Sequence, residues 1–157
     1  MFIKICGITN EQDALLAIAL GADALGFVFA PSPRQVAPSK VREIVRRLPS
    51  EIVTVGVFRD ELPKRIIDIM QEAHLQGAQL HGHESLLITS EVSDAVRFSI
   101  KAVVAGSPDA ARADDFVCDA ILVELVSFTG GEVNLKKPVS HGVATFVLSI
   151  ERVAARR

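Results

Sequence analysis

The sequence predicts an α/β fold built on a parallel sheet. Short runs rich in β-branched and aromatic residues alternate with segments of helical spacing. Successive strand starts lie roughly 20–30 residues apart, the length of one βα unit. Hydrophobic residues make up 49% and charged residues 23%, as in an ordinary globular domain. Such alternation places helices outside a parallel sheet, either an open doubly wound sheet or a (β/α)-barrel. The 157 residues are the size of one domain. They hold five or six strands of an open sheet comfortably, whereas a complete eight-stranded barrel takes at least ~200 residues. Length alone therefore favours the open sheet.

Each element has its own signal. Strands are expected at Phe2–Cys6, Ala24–Phe29, Ile52–Phe58, Ala78–Leu80, Phe98–Val104 and Phe116–Val123. The spacing predicts a helix over Asn10–Leu20, with Ala14, Leu15, Ile18 and Ala19 on one stripe and Gly21 closing its C-terminus. A second helix, Ser39–Leu48, opens on a capping Ser and buries Val41, Ile44, Val45 and Leu48. Pro63 suits the first turn of a third, which carries Ile66, Ile67, Ile69 and Met70. Glu84–Val96 reads as a helix despite β-branched Ile88, Thr89 and Val92. Ser107-Pro108 opens a short one.

Composition narrows the function. Lys plus Arg is 17 and Asp plus Glu 19, a net charge of −2, so no global electrostatic footprint for nucleic acid exists. The most apolar stretch, Ala14 to Ala30, is interrupted by Gly21, Asp23 and Gly26, and a membrane span needs ~20 mostly apolar residues. The N-terminus reads as a strand, not a signal peptide. Two distant cysteines make no disulfide framework, which gives a reducing cytoplasm as the expected compartment. No Cys or His cluster has zinc spacing, the pair His81 and His83 included.

In parallel α/β folds the site lies at the carboxyl ends of the strands. That rule selects Cys6 after strand one, Arg34 in the loop after strand two, His81 after strand four and Glu124 after strand six. A thiol, a guanidinium, an imidazole and a carboxylate are thereby expected at one rim. Each also has an ordinary structural reading: a buried small hydrophobe, a solvated loop Arg, a satisfied core His and a solvated strand terminus. Cys118 reads as packing at the far end of the sheet, and His74 as surface.

Two strings carry a resemblance. Lys4-Ile5-Cys6-Gly7-Ile8-Thr9 is followed by Gly21-Ala22-Asp23-Ala24-Leu25-Gly26-Phe27-Val28-Phe29, then by Ser32-Pro33-Arg34, Val55-Gly56-Val57-Phe58 and Gln79-Leu80-His81-Gly82. The chain resembles the phosphoribosylanthranilate isomerases of tryptophan biosynthesis, continuously from Met1 to about Glu124. The resemblance implies a TIM-type (β/α)₈ parallel barrel, which displaces the open sheet favoured by length. It implies an Amadori rearrangement of N-(5′-phosphoribosyl)anthranilate, a small phosphosugar, to 1-(2-carboxyphenylamino)-1-deoxyribulose 5-phosphate, with no metal or organic cofactor. By the same resemblance Cys6 is the general base, and Glu124 stands where the family has an Asp as general acid. Arg34 matches the residue that grips the anthranilate carboxylate, and His81 lines the pocket. A thiol works as a base only as the thiolate, which an electropositive, partly exposed setting favours.

After Glu124 the match degrades, so residues 1–157 are expected to form one barrel domain truncated or degenerate beyond about 124. Thr129–Asn134 resembles the family's Gly-rich segment. Lys136-Lys137-Pro138 then runs straight into Val139-Ser140-His141-Gly142-Val143, which reads as the eighth-strand string, with Ile150–Arg157 as a last helix. The spacing implies that the seventh βα unit is missing, leaving about seven strands. Half of the phosphate cradle goes with it, and Gly142 and Val143 supply the rest. A seven-stranded closure, a broken barrel and a homodimer paired through exposed strand edges all remain open. So do two other functions: a catalytically inactive family member, as a remnant or interaction subunit, and a phosphosugar-binding barrel with another substrate, which Ser32-Pro33-Arg34 argues against.

Overall fold

The computed structural model describes residues 2–124 and the strand 146–148. The elements alternate: β1 (Ile3–Cys6), α1 (Glu11–Ala19), β2 (Ala24–Val28), α2 (Pro38–Val45), β3 (Val53–Phe58), α3 (Pro63–Ala73), β4 (Gly77–Leu80), α4 (Leu86–Ala95), β5 (Phe98–Val104), a short α5 (Pro108–Ala111), a 3₁₀ turn (Ala113–Asp115), β6 (Ala120–Glu124) and β7 (Phe146–Leu148). All pairings are parallel, in the order β6-β5-β4-β3-β2-β1-β7, and the sheet is curled. A doubly wound sheet reverses its strand order at a switch point. Here the order from β1 to β6 is sequential, so the open sheet suggested by length is overturned and the incomplete barrel holds.

The two faces of the sheet pack differently. Leu25 and Phe27 of β2 join Ala14, Ala17, Val41 and Ile44 of α1 and α2 in one core cluster. Phe58, Ala78 and Leu80 join Ile66, Ile69, Met70 and Val92 of α3 and α4 in a second. The third cluster is made of strand residues, Val55, Ile100, Ala102 and Leu122, with Val53, Phe98 and Ala120 against it. Helices thus cover one face, and the alternate residues of each strand fill the concave face, as period-2 side-chain alternation requires.

Several local expectations need correction. The buried face of α1 is Ala14 and Ala17, with Ile18 half-buried; Leu15 and Ala19 are exposed. Gly21 does follow the helix end with φ +93°. The N-cap of α2 is Ala37 rather than Ser39, because Pro38 takes the first helical position and needs no N–H partner there. Phe116 lies outside β6: a 3₁₀ turn precedes it, and its ring sits 5.7 Å from the Lys101 ammonium. The strand starts only after Asp119, whose carboxylate accepts from Ser99 N at 2.7 Å and Ser99 Oγ at 2.9 Å. Val139–Val143, Gly142 and Val143 included, and the expected last helix at 150–157 lie outside the described residues. The strand beside β1 is Phe146–Leu148, just beyond that string. Among the described residues no ladder joins β6 to β7, which end the strand order. No helix among them is long and apolar enough to cross a membrane.

Cys118 sits before β6, at the opposite end of the sheet from the strand carboxyl ends, with Sγ 3.4 Å from Ala120 O. Burial pushes its thiol above the ordinary value of 9.0. The stability this contributes is fully present below that ordinary value and is lost as pH rises through the raised one. At pH 8 iodoacetamide should therefore label Cys118 more slowly in the native chain than in the unfolded one, a difference that peptide mass spectrometry measures directly.

Candidate active site

The register sets which side chains share the concave face. Cys6 pairs with Gly26, Gly26 with Val55, Val57 with Gln79, Gln79 with Ile100, Ala102 with Leu122 and Val104 with Glu124. Gly26 matters because it lacks a side chain. A Cβ there would stand 2.8 Å from Cys6 Sγ and 3.0 Å from Lys4 Nζ, so the thiol and the ammonium converge on the space Gly26 leaves. Lys4 is fully buried, and its Nζ has no hydrogen-bond partner among the described residues.

The chain turns at once after Cys6. Gly7 has φ +87°, and the amides of Gly7 and Ile8 both donate to Gly26 O at 2.9 and 3.0 Å. Arg34 reaches this turn from the loop after β2. That loop is folded on itself: Ser32 Oγ accepts from Arg34 N at 3.0 Å, Gln35 Nε2 donates to Phe29 O at 2.8 Å, and Val36 N to Val28 O at 3.0 Å. A Cβ on Gly7 would lie 2.6 Å from Arg34 Cδ and 2.8 Å from Nη1. Gly7→Ala should therefore cost about 1–2 kcal/mol through its backbone conformation alone, and also displace the guanidinium. Chemical denaturation measures the first effect and carboxylate-ligand affinity the second.

The other half of the rim belongs to β4 and β6. His81 N donates to Phe58 O at 2.8 Å, which carries the ladder past Leu80 and keeps His81 on the face of Gln79. Its ring is held at both nitrogens: Nδ1 lies 2.7 Å from Gln79 Nε2, and Nε2 lies 2.8 Å from Glu124 Oε1. Between those strands β5 presents Ala102 on the concave face, and a methyl leaves room for the bridge. The side chains of His81 and Glu124 are 31% and 43% exposed, open to a ligand.

Beneath this rim lies a buried ion pair. Lys101 Nζ donates to Glu84 Oε2 at 2.8 Å and to Gly82 O at 2.6 Å, with both side chains shut from solvent. Glu84 also accepts from Asp60 N at 3.0 Å and from Gly82 N. Asp60, at φ 52°, accepts from His83 N at 2.5 Å. That backbone donor, reinforced by the His83 ring, holds the Asp60 carboxyl below its ordinary value of 3.8. These contacts tie the loops after β3 and β4 together. His81 and His83 find different partners, the first Glu124 and the second Asp60, because the chain leaves the strand after Leu80 and bends at Gly82.

Every described sequence candidate therefore sits at the carboxyl ends of the strands. Arg34 lies over the Gly7 turn beside Cys6, and His81 touches Glu124 directly. Sequence reading missed Lys4, Gln79, Glu84 and Lys101. The signal was present: Lys4 between Ile3 and Ile5, and Lys101 inside Phe98–Val104, are charges within apolar strands, which only a partner or a role makes tolerable.

The arrangement has close relatives. A family profile described as N-(5'phosphoribosyl)anthranilate (PRA) isomerase matches residues 3–135. The N-(5'-phosphoribosyl)anthranilate isomerase of Symbiobacterium thermophilum is 44% identical over 117 residues, which cover 74% of this chain and 51% of the relative. Among solved structures, the phosphoribosyl anthranilate isomerase of Thermus thermophilus superposes with a TM-score of 0.74 at 44% identity, covering 78% of this chain and 62% of its own. Another, solved in complex with reduced 1-(o-carboxyphenylamino)-1-deoxyribulose 5-phosphate, gives 0.74 at 37% identity, covering 80% and 66%. The chain spans about half the length of the relatives it matches by sequence. With the profile running through every strand from β1 to β6, the chain belongs to the N-(5'-phosphoribosyl)anthranilate isomerase family.

Proposed function

We propose that this chain catalyses the isomerisation its relatives are named for, converting N-(5′-phosphoribosyl)anthranilate to 1-(2-carboxyphenylamino)-1-deoxyribulose 5-phosphate in a cytoplasmic biosynthetic route to tryptophan. The observation that carries this reading is the placement of Cys6, Arg34, His81 and Glu124 at the carboxyl ends of one curled parallel sheet, in a chain that matches the family from β1 through β6.

The chemistry follows from those groups. Arg34 offers a guanidinium fork to the anthranilate carboxylate, a planar match worth more than a point charge. Glu124 gives a proton to the ribose ring oxygen, the C1′–O bond breaks, and the substrate nitrogen forms the Schiff base. Cys6 as thiolate removes the C2′ proton, and the electrons move to the iminium to give the enolamine, which tautomerises to the ketone. Each positioned proton transfer is worth ~10²–10⁴ in rate. Gly142 and Val143 are the residues for the phosphate, through backbone N–H groups.

The test is loss of substrate fluorescence on addition of the purified chain. Turnover is the expected result, and its absence with substrate still bound would leave a binding protein instead. The two terminal strands, β6 and β7, also make a second copy of this chain the expected macromolecular partner, through edge pairing. Light scattering should then report twice the chain mass.

A further inference from the structure

Gln79 is 2% exposed, and its register partners on the concave face are Val57 and Ile100. A buried amide among apolar neighbours is costly for each group left unpaired. Its Oε1 has no hydrogen-bond partner among the described residues, while its Nε2 stands 2.7 Å from His81 Nδ1. An amide nitrogen only donates. With the amide nitrogen on this side, His81 Nδ1 is the acceptor, and the one proton of the neutral ring then sits on Nε2. That atom faces Glu124 Oε1 at 2.8 Å.

The consequence reaches the acid. A carbonyl oxygen accepts better than a hydroxyl oxygen, so an Nε2–H donor aimed at Oε1 favours the carboxyl proton on Oε2. With the other tautomer, Nε2 would be a bare acceptor, and the Glu124 proton would be drawn into the imidazole instead of toward a substrate. We propose that Gln79 is a positioning residue that fixes His81 as the Nε2–H tautomer and thereby keeps the Glu124 proton on its free oxygen, where the ring oxygen of the substrate can take it. The proposal deepens the isomerase reading and rests on it for its catalytic part, but the tautomer itself does not depend on turnover.

Long-range ¹⁵N–¹H spectra of the full chain, at a pH where the ring is neutral, read the tautomer directly. The expected pattern is Nε2–H for His81 in the parent, and in Gln79→Leu a shift toward a mixture with Nδ1–H. Gln79→Glu, whose carboxylate accepts from Nδ1, should put a proton on that nitrogen. In steady-state assays Gln79→Leu should lower kcat about 10–100-fold with KM little changed, the pattern of a mis-set catalytic group. An Nδ1–H signal in the parent, or an unchanged tautomer in a folded Gln79→Leu, overturns the proposal; the parent spectrum decides it if the variants do not fold. Nε2–H in an inactive parent upholds the tautomer assignment and defeats the isomerase reading instead.

Discussion

Cys6→Ala should lower kcat by about 10²–10⁴-fold while leaving KM and the fold nearly unchanged. The thiol lies on the concave face in the space that Gly26 leaves open, and it is only half-buried. Its loss therefore removes one sulfur atom without exposing a core or orphaning a hydrogen-bond partner. Arg34 lies over Gly7 and is placed by its own loop, so the guanidinium proposed to bind the substrate carboxylate keeps its position. A variant that loses a proton transfer and keeps its binding contacts shows the change in kcat alone. Fluorescence assays of parent and variant at saturating substrate measure it. Equal turnover in the two would remove Cys6 from the chemistry.

Lys101→Met should destabilise the fold by ~3–5 kcal/mol, because it strands the Glu84 carboxylate in a site with almost no solvent access. Against a total stability of roughly 5–15 kcal/mol, that is a large fraction. The loss extends beyond the pair. Glu84 holds the amides of Asp60 and Gly82, and Lys101 holds the carbonyl of Gly82, so the loops after β3 and β4 loosen together. His81 precedes Gly82 directly, and its reach to Glu124 should suffer as well. The double variant Lys101→Met with Glu84→Gln removes both charges and should regain much of the stability. Urea midpoints of the parent, single and double variants measure both effects; an unshifted midpoint in Lys101→Met would show that the pair contributes nothing.

The strands were legible because β-branched runs sit between strong punctuation, as Gly21 before β2 and Pro63 after β3 show. The architecture was not legible from length, which argues against a complete barrel but does not tell an incomplete one from an open sheet. The sequential order of β1 to β6 decides it, and pairing order is a long-range property that local periodicity does not encode. Ser39 misled because capping preference and the demand of Pro38 for the first helical position compete, and the ring constraint wins. Phe116 misled because an aromatic residue suits a strand and equally suits a ring laid near an ammonium. The rim residues were legible as a set, since strand ends can be read and their carboxyl ends share one side. Their pairing was not: the His81–Glu124 contact crosses β5 and depends on register and on the small size of Ala102. Gln79 looked like part of a string; only its burial and the 2.7 Å approach to His81 give it a part to play.

The single seam between β1 and β7 has a kinetic consequence. Every other ladder joins strands that are neighbours along the chain, so each βα unit can dock on the one before it while synthesis is still under way. The β1–β7 ladder, Ile3 against Phe146, closes a loop that contains every other strand and must wait until β7 has been synthesised. Until then β1 shows a bare parallel edge to the crowded cell, which makes this strand a place where a nascent chain is open to capture by a chaperone or by a stray neighbour.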